Sequence, residues 1–254
     1  MDYVKLNSAI WDSRCENGDI WSQAVSPEVI ARARTGDWQI VLTPSKPVPR
    51  SWFPEKLSGL QVLCLAGGGG QQGPVLAAAG ASVTVFDNSR RQLEMDAFVA
   101  RREALDICTV QGHMQDLSMF ADDSFDLIMH PWSNGYVDSP LPVWQECARV
   151  LRKGGSLLSG FGNPVEYIFD TVQLENEVLT VRHSIPYADI DHLDDPGMRA
   201  ICEKDGYIWA HTLEDQIQGQ IAAGFVIAGF YEDIGGTVLD RYLPTSIATR
   251  AILL

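Results

Sequence analysis

The stretch Val62-Leu63-Cys64-Leu65-Ala66-Gly67-Gly68-Gly69-Gly70-Gln71-Gln72-Gly73 decides the fold of this 254-residue chain. An apolar strand over 61–66 runs straight into four glycines, and a helix over 73–79 begins beside Pro74. Glycine suits such a junction because the chain must turn tightly and let a ligand reach the backbone, where a Cβ would intrude. Free N–H groups at the helix start add a weakly positive end. Asp87 follows the next strand, 82–86, where doubly wound folds place an acid that accepts hydrogen bonds from an adenosine ribose. Gly68-x-Gly70-x-x-Gly73 also spells the dinucleotide fingerprint, so an NAD(P)- or FAD-dependent oxidoreductase is one reading of the loop.

Outward from the loop the rhythm is regular. Helix 89–104, strand 107–111, strand 125–129, helix 142–151 and strand 156–160 follow in turn. Strands that alternate with helices imply right-handed crossovers and a doubly wound, mostly parallel sheet, an α/β fold. Before the loop, residues 1–57 form a helical segment with Trp11, Trp21 and Trp38, a helix start at Ser26-Pro27, and a proline-rich connector, TPSKPVPRSWFP. The rhythm breaks after Asn163-Pro164. Residues 164–210 read as a β-rich insertion, with strands at 178–184 and 207–210 around the acidic run DIDHLDDPG. Residues 211–254 resume the core with a helix at 213–223 and strands at 225–231 and 247–254.

Composition narrows the partners. Nineteen Lys+Arg against 33 Asp+Glu give a formal net charge of −14, which repels nucleic acid and anionic membranes. Five cysteines without a C-x-x-C pair, Cys64 and Cys108 among them in apolar strands, read as reduced and buried. Neither a basic leader nor an apolar run of about 20 residues is present, so a cytoplasmic location is expected. His, Cys and Asp lack metal-ligand spacing, and no nucleophile elbow or P-loop lysine appears.

Three later segments, Gly112-His113-Met114, Asp123–Ile128 and Arg149–Gly155, make the chain resemble the class I S-adenosylmethionine-dependent methyltransferases, of the small-molecule type, over about residues 58–162. They match that family's adenine-holding turn after the third strand, its fourth strand, and the Arg-Val-Leu-Lys-x-Gly-Gly run before the fifth. The resemblance implies a seven-stranded Rossmann-like core over 58–163 and S-adenosylmethionine as cofactor. By the same resemblance the donor is held by Ala66, Gly67, Gly68, Gly69, Gln72, Asp87, Asn88, Gln92, His113, Met114, Gln115 and His130. The chain departs from the pattern at Cys64, where relatives have an acid, and at His113, where many have Asp. A neutral imidazole there still accepts a hydrogen bond.

The reactive end of such a sheet lies beyond the carboxyl ends of its strands. His130-Pro131-Trp132-Ser133-Asn134-Gly135-Tyr136 follows the fourth strand and is expected to face the sulfonium. His130, His211 and Asn134 are the candidate catalytic residues, with His130 first as a base or acceptor-orienting group. Trp132, Tyr136, Asn163, Tyr167, Gln216 and Gln220 are the candidate acceptor contacts, the two glutamines sharing a helix face. Trp11, Trp21, Trp52 and Trp132 are candidates to cover the donor and face its cation. The N-terminal segment and 164–210 are expected to form a lid over a small, neutral or cationic acceptor. A third expectation, from outside enzymology, is a non-catalytic protein that binds S-adenosylmethionine.

Overall fold

In the computed structural model, which describes residues 2–254, β1 (Gln61–Leu65) is central. Its side chains alternate: Val62 and Cys64 enter one core cluster, Leu63 and Leu65 the other. A strand buried on both faces needs helices on both faces, and the chain supplies them. In chain order the further core elements are α3 (Gln72–Ala78), β2 (Ser82–Asp87), α4 (Arg90–Glu103), β3 (Ile107–Gln111), β4 (Phe125–His130), α5 (Leu141–Val150) and β5 (Leu151–Gly162). They are preceded by α1 (Tyr3–Glu16) and α2 (Pro27–Arg34). After them come α6 (Thr171–Leu174), β6 (Tyr187–Ala188), α7 (Pro196–Asp205), β7 (Trp209–Ala210), α8 (Gly219–Ala222), β8 (Phe225–Asp233) and β9 (Ser246–Leu253).

Seven strands form one sheet in the order β3-β2-β1-β4-β5-β9-β8, parallel from β3 to β5, with β9 antiparallel to both its neighbours, β5 and β8. The expected mostly parallel, doubly wound sheet is therefore what forms. Strand order reverses between β1 and β4, and a crevice opens there at the carboxyl ends. Among the described residues, no helix is long and apolar enough to cross a membrane.

Two expectations need correction. Cys108 is exposed, because β3 is an edge strand with an open face; Cys64, Cys147 and Cys202 are buried. The insertion is not β-rich. Residues 178–184 make no strand: Val178 and Val181 are exposed, and only a single bridge joins Val181 to Phe169. The partner strand expected for that run is reduced to β7, paired with β6. Within the acidic run Asp195 and Asp189 hold backbone N–H groups, while Asp191 and Asp194 are exposed. Asp195 accepts from Gly197 N at 2.8 Å to start α7, whose first residue is Pro196, and Asp189 accepts from Ile208 N at 2.8 Å.

The insertion docks on α1. Tyr3, Leu6 and Ile10 pack against Met198, Cys202 and Tyr207. Buried Asn7 completes the joint, donating to Tyr207 O (3.0 Å) and accepting from Tyr207 N (2.8 Å). On its other side α1 meets the start of α4: Ser8 Oγ donates to Asn88 O, Asn88 Nδ2 to Val4 O, and Ser89 Oγ to Asp12.

The proline-rich connector is clamped to β8 by one carboxylate. Asp233 accepts from Thr43 Oγ1, Ser45 N, Ser45 Oγ, Lys46 N and Ile234 N. Burial pushes its carboxyl up, but the donors win and hold it down to about 2. A depressed folded pKa adds stability above the unfolded value near 3.9 and loses it as pH falls toward the folded one. The clamp is expected to contribute about 2 kcal/mol at neutral pH, by the shift's free-energy equivalent. In urea titrations at pH 7 and pH 2.5, Asp233→Asn should narrow the wild-type loss by about that amount; an unchanged difference would reject the assignment.

Candidate functional site

The glycine junction is built by strain and then tied down. Ala66 adopts φ +48°, and Gly69 and Gly70 lie at +111° and +74°, a left-handed region that glycine tolerates best. A Cβ on Gly69 would collide with the Trp21 carbonyl, and one on Gly68 would come within 2.8 Å of Gln92 Cβ. The amides of this loop are not free, contrary to expectation. Gly68 N donates to Asp87 Oδ2 (3.0 Å), while Gly69 N and Gly70 N both donate to Asp96 Oδ2 (2.9 and 3.1 Å). Asp96 is fully buried on α4. Burial, with Asp87 nearby, pushes it up to about 7, against the pull of the Gly70 and Gly69 N–H groups. The same burial raises Asp87, opposed by the Ser89 and Gly68 N–H groups.

At the strand crossover lies a cavity of about 440 Å³. Of the expected donor residues, Ala66, Gly67, Gly68, Gln72, Asp87, Asn88, Gln92, His113 and Met114 line it. Gly69 lies behind the wall. Gln115 turns away to Asp138 and Ser139 O, and so does not line it. Gln72 accepts from Val41 N, and Gln71 holds Ile20 O and Gln23 O. His113 is pushed down by burial, so it presents a neutral ring. Gln92 Oε1 and Trp132 Nε1 are buried without a partner among the described residues.

His130 does not face this cavity. It is fully buried, with Nδ1 2.9 Å from Leu65 O and Nε2 2.7 Å from Asn134 Oδ1, and burial lowers its pKa. A neutral ring donates through one nitrogen only, so both contacts are satisfied when the Asn134 amide is turned with its NH2 toward Nε2. A base needs an open nitrogen beside the acceptor; His130 has neither. Asn134 goes on to Gln216 (2.9 Å), Gln220 Nε2 donates to Gln216 O (2.8 Å), and Thr249 Oγ1 donates to Gln220 Oε1 (3.2 Å). A π-turn over Glu214–Gln218 aims Gln216 into this chain. His211 Nε2 donates to Asn134 O at 3.0 Å, away from the main cavity. Thus His130, Asn134, His211, Gln216 and Gln220 brace the turn after β4 from beneath. They are buried polar groups with hydrogen-bond partners, and none of them lines the main cavity.

Trp132 and Tyr136 do line the cavity. Tyr136 meets Trp11 edge-on at 5.7 Å, and burial pushes its phenol up to about 12. Trp21 also lines the cavity, whereas Trp52 packs on Tyr231 in the core. Asn163 caps the turn 164–168, accepting from Val165 N and donating to Pro244 O. Tyr167 stacks on Tyr187, outside the main cavity. Sequence reasoning missed Asp96, Arg14, Glu166 and Asp205. Asp96 had a signal: an acid in register with Leu93, Val99 and Ala100 on the buried face of an amphipathic helix. Glu166 follows the Asn163-Pro164 helix start at a strand's carboxyl end. Arg14 and Asp205 come together only through the docking of α1 on α7 and carry no local signal.

A family model described as "Methyltransferase domain" matches residues 63–159. Over 250 residues the chain is 53% identical to the uncharacterized methyltransferase YbaJ of Bacillus subtilis (strain 168), covering 98% of each. An S-adenosylmethionine dependent methyltransferase from Mesorhizobium loti superposes with TM-score 0.60 at 18% identity, over 80% of this chain and 94% of that one. The cyclase SpnF does so with TM-score 0.54 at 18% identity, over 77% and 76%. The two structural likenesses concern the fold; a shared fold does not carry a shared reaction.

Proposed function

The chain belongs to the methyltransferase family, and on that footing we propose that it moves a methyl group from S-adenosylmethionine to a small neutral or cationic acceptor. One observation carries this reading: the same cavity is lined by Gly67, Gly68, Asp87 and His113 and by the aromatic side chains Trp11, Trp132 and Tyr136. Its volume, about 440 Å³, is of the small-ligand class.

The residues fit the donor. Gly67 and Gly68 offer backbone without side chains, Asp87 offers a carboxylate to the ribose hydroxyls, and neutral His113 with Met114 offers an acceptor and an apolar face to adenine. S-adenosylmethionine supplies, when bound, a carbon already activated by its sulfonium. The protein has to align, dehydrate and cover. Trp11, Trp21, Trp132 and Tyr136 wall the cavity with aromatic side chains, a lining that suits a cation. The braced turn after β4 holds Trp132 and Tyr136 in place without touching the ligand. The N-terminal segment and 164–210, joined through Asn7 and Tyr207, serve as the lid.

The dinucleotide reading of the loop fails on its amides. A pyrophosphate would draw on the free N–H groups of this glycine loop, and Asp96 has taken those of Gly69 and Gly70.

Calorimetry should show S-adenosylmethionine and S-adenosylhomocysteine binding and NAD not binding. Binding of NAD alone would overturn the proposal. Asp87→Ala is expected to weaken S-adenosylhomocysteine binding by about 1–3 kcal/mol through loss of charge-assisted hydrogen bonds. Unchanged affinity would remove Asp87 from the donor site.

A further inference from the structure

Four charged side chains line the cavity: Arg14, Asp87, Glu166 and Asp205. Three already have partners. Arg14 pairs with Asp19 at 2.7 Å and stands 3.7 Å from Asp205, and Lys204 lies 3.5 Å from Asp205 on its other side. Asp87 accepts from Gly68 N and Ser89 N. Glu166 has no hydrogen bond and no ion pair to its side chain among the described residues. Only its backbone N–H is engaged, donating to Asn163 O. The nearest acid acting on it, Asp240, is saturated by Gly235 N, Gly236 N, Thr237 N and Thr245 Oγ1.

Glu166 sits on the turn 164–168 directly after β5, at the carboxyl end of the sheet, and lines the same cavity as Trp132 and the donor loop. We propose that Glu166 selects the acceptor by pairing with a protonated amine, so that the substrate class is a small amine-bearing molecule. This rests on the methyl-transfer reading above and narrows its neutral-or-cationic acceptor to a cationic one. Three features converge on it: an uncompensated carboxylate at the cavity wall, the aromatic side chains of Trp132 and Tyr136 lining the same cavity, and, among the described residues, no lining cation that is not already paired, Arg14 being held by Asp19 and by the Trp11 ring. Burial, with Asp240 nearby, pushes Glu166 up to about 7, as happens to a carboxyl whose counter-charge is missing. An ammonium set beside it restores its ordinary ionisation. The ammonium is the handle that holds the acceptor, whichever of its atoms takes the methyl group.

The test compares phenethylamine with phenethyl alcohol, similar in size but neutral, in titrations of the protein loaded with S-adenosylhomocysteine. The wild type is expected to bind the amine about tenfold or more tightly than the alcohol, the scale of one hydrogen bond to a charged group. Glu166→Gln keeps the shape and removes the charge. It should bring amine and alcohol to within about twofold while leaving S-adenosylhomocysteine affinity within about twofold of wild type. A wild-type preference below about tenfold, absence of amine binding included, overturns the proposal, and so does a preference that survives in Glu166→Gln. A drop of about tenfold or more in S-adenosylhomocysteine affinity would assign Glu166 to the amine of the donor and overturn it too. Failure of the wild type to bind either S-adenosylmethionine or S-adenosylhomocysteine would instead remove the underlying function, and this inference with it.

Discussion

Alanine at Asp96 is expected to weaken S-adenosylhomocysteine binding by about 2–4 kcal/mol, roughly 30- to 700-fold. The carboxylate lies outside the cavity wall, so the effect comes entirely through the loop it holds. Its Oδ2 accepts from two successive amides of a segment whose backbone is left-handed at both residues. Deleting it leaves two donors in a buried place, each costing about 1–3 kcal/mol, and frees the loop to relax away from the Gly67–Gly68 backbone edge. Asp96→Asn keeps one acceptor oxygen at the same position and should recover most of the loss. Calorimetry on both variants, with circular dichroism to confirm folding, measures the contrast. Affinity within about twofold of wild type for the alanine variant would show that the loop holds itself.

Trp144→Ala should lower unfolding stability by about 3–5 kcal/mol, the range for deleting a large aromatic from a packed core. Trp144 is fully buried on α5. Its ring stands edge-on to His130 at 6.0 Å, and Nε1 donates to Asp215 O at 3.0 Å. The site is packed from both sides, since a Cβ on Gly219 of α8 would come within 2.8 Å of the indole. Such crowding leaves little room for collapse, which places the cost toward the upper part of that range. Trp144→Phe loses the hydrogen bond and part of the area and should cost less. Urea titrations with an unchanged slope would read the difference directly; a loss below about 1 kcal/mol would mean that neighbours refill the space.

The sheet was legible from the chain because period-two burial and glycine placement are local properties. Val62 through Leu65 announces a strand buried on both faces, and Ser89 announces the start of α4, where its Oγ indeed accepts from Gln92 N. The donor end was legible for the same reason: Gly67, Gly68, Asp87, His113 and Met114 each sit at a strand's end, and topology alone carries them to one cavity. The acceptor end was not. His130, Asn134 and Gln216 look reactive in one dimension, but whether an imidazole or amide faces a cavity or a neighbour depends on packing between elements far apart in sequence. Leu65 and Thr249, which complete their hydrogen bonds, lie 65 residues before His130 and 29 residues after Gln220. The insertion misled for a related reason. β-branched residues at 178–184 suggest a strand, yet a strand exists only where an edge is free to pair.

The brace under the turn after β4 has a consequence for how this protein would respond to its medium. His130 is kept neutral by burial, and the members that follow it, Asn134, Gln216, Gln220 and Thr249, do not ionise. A floor made of amides, one hydroxyl and two imidazoles, His130 and His211, that burial biases toward their neutral forms responds little to acidity above neutrality. Any bell or shoulder in a plot of turnover against pH would then report on the walls of the chamber and its guests, while the foundation keeps its shape.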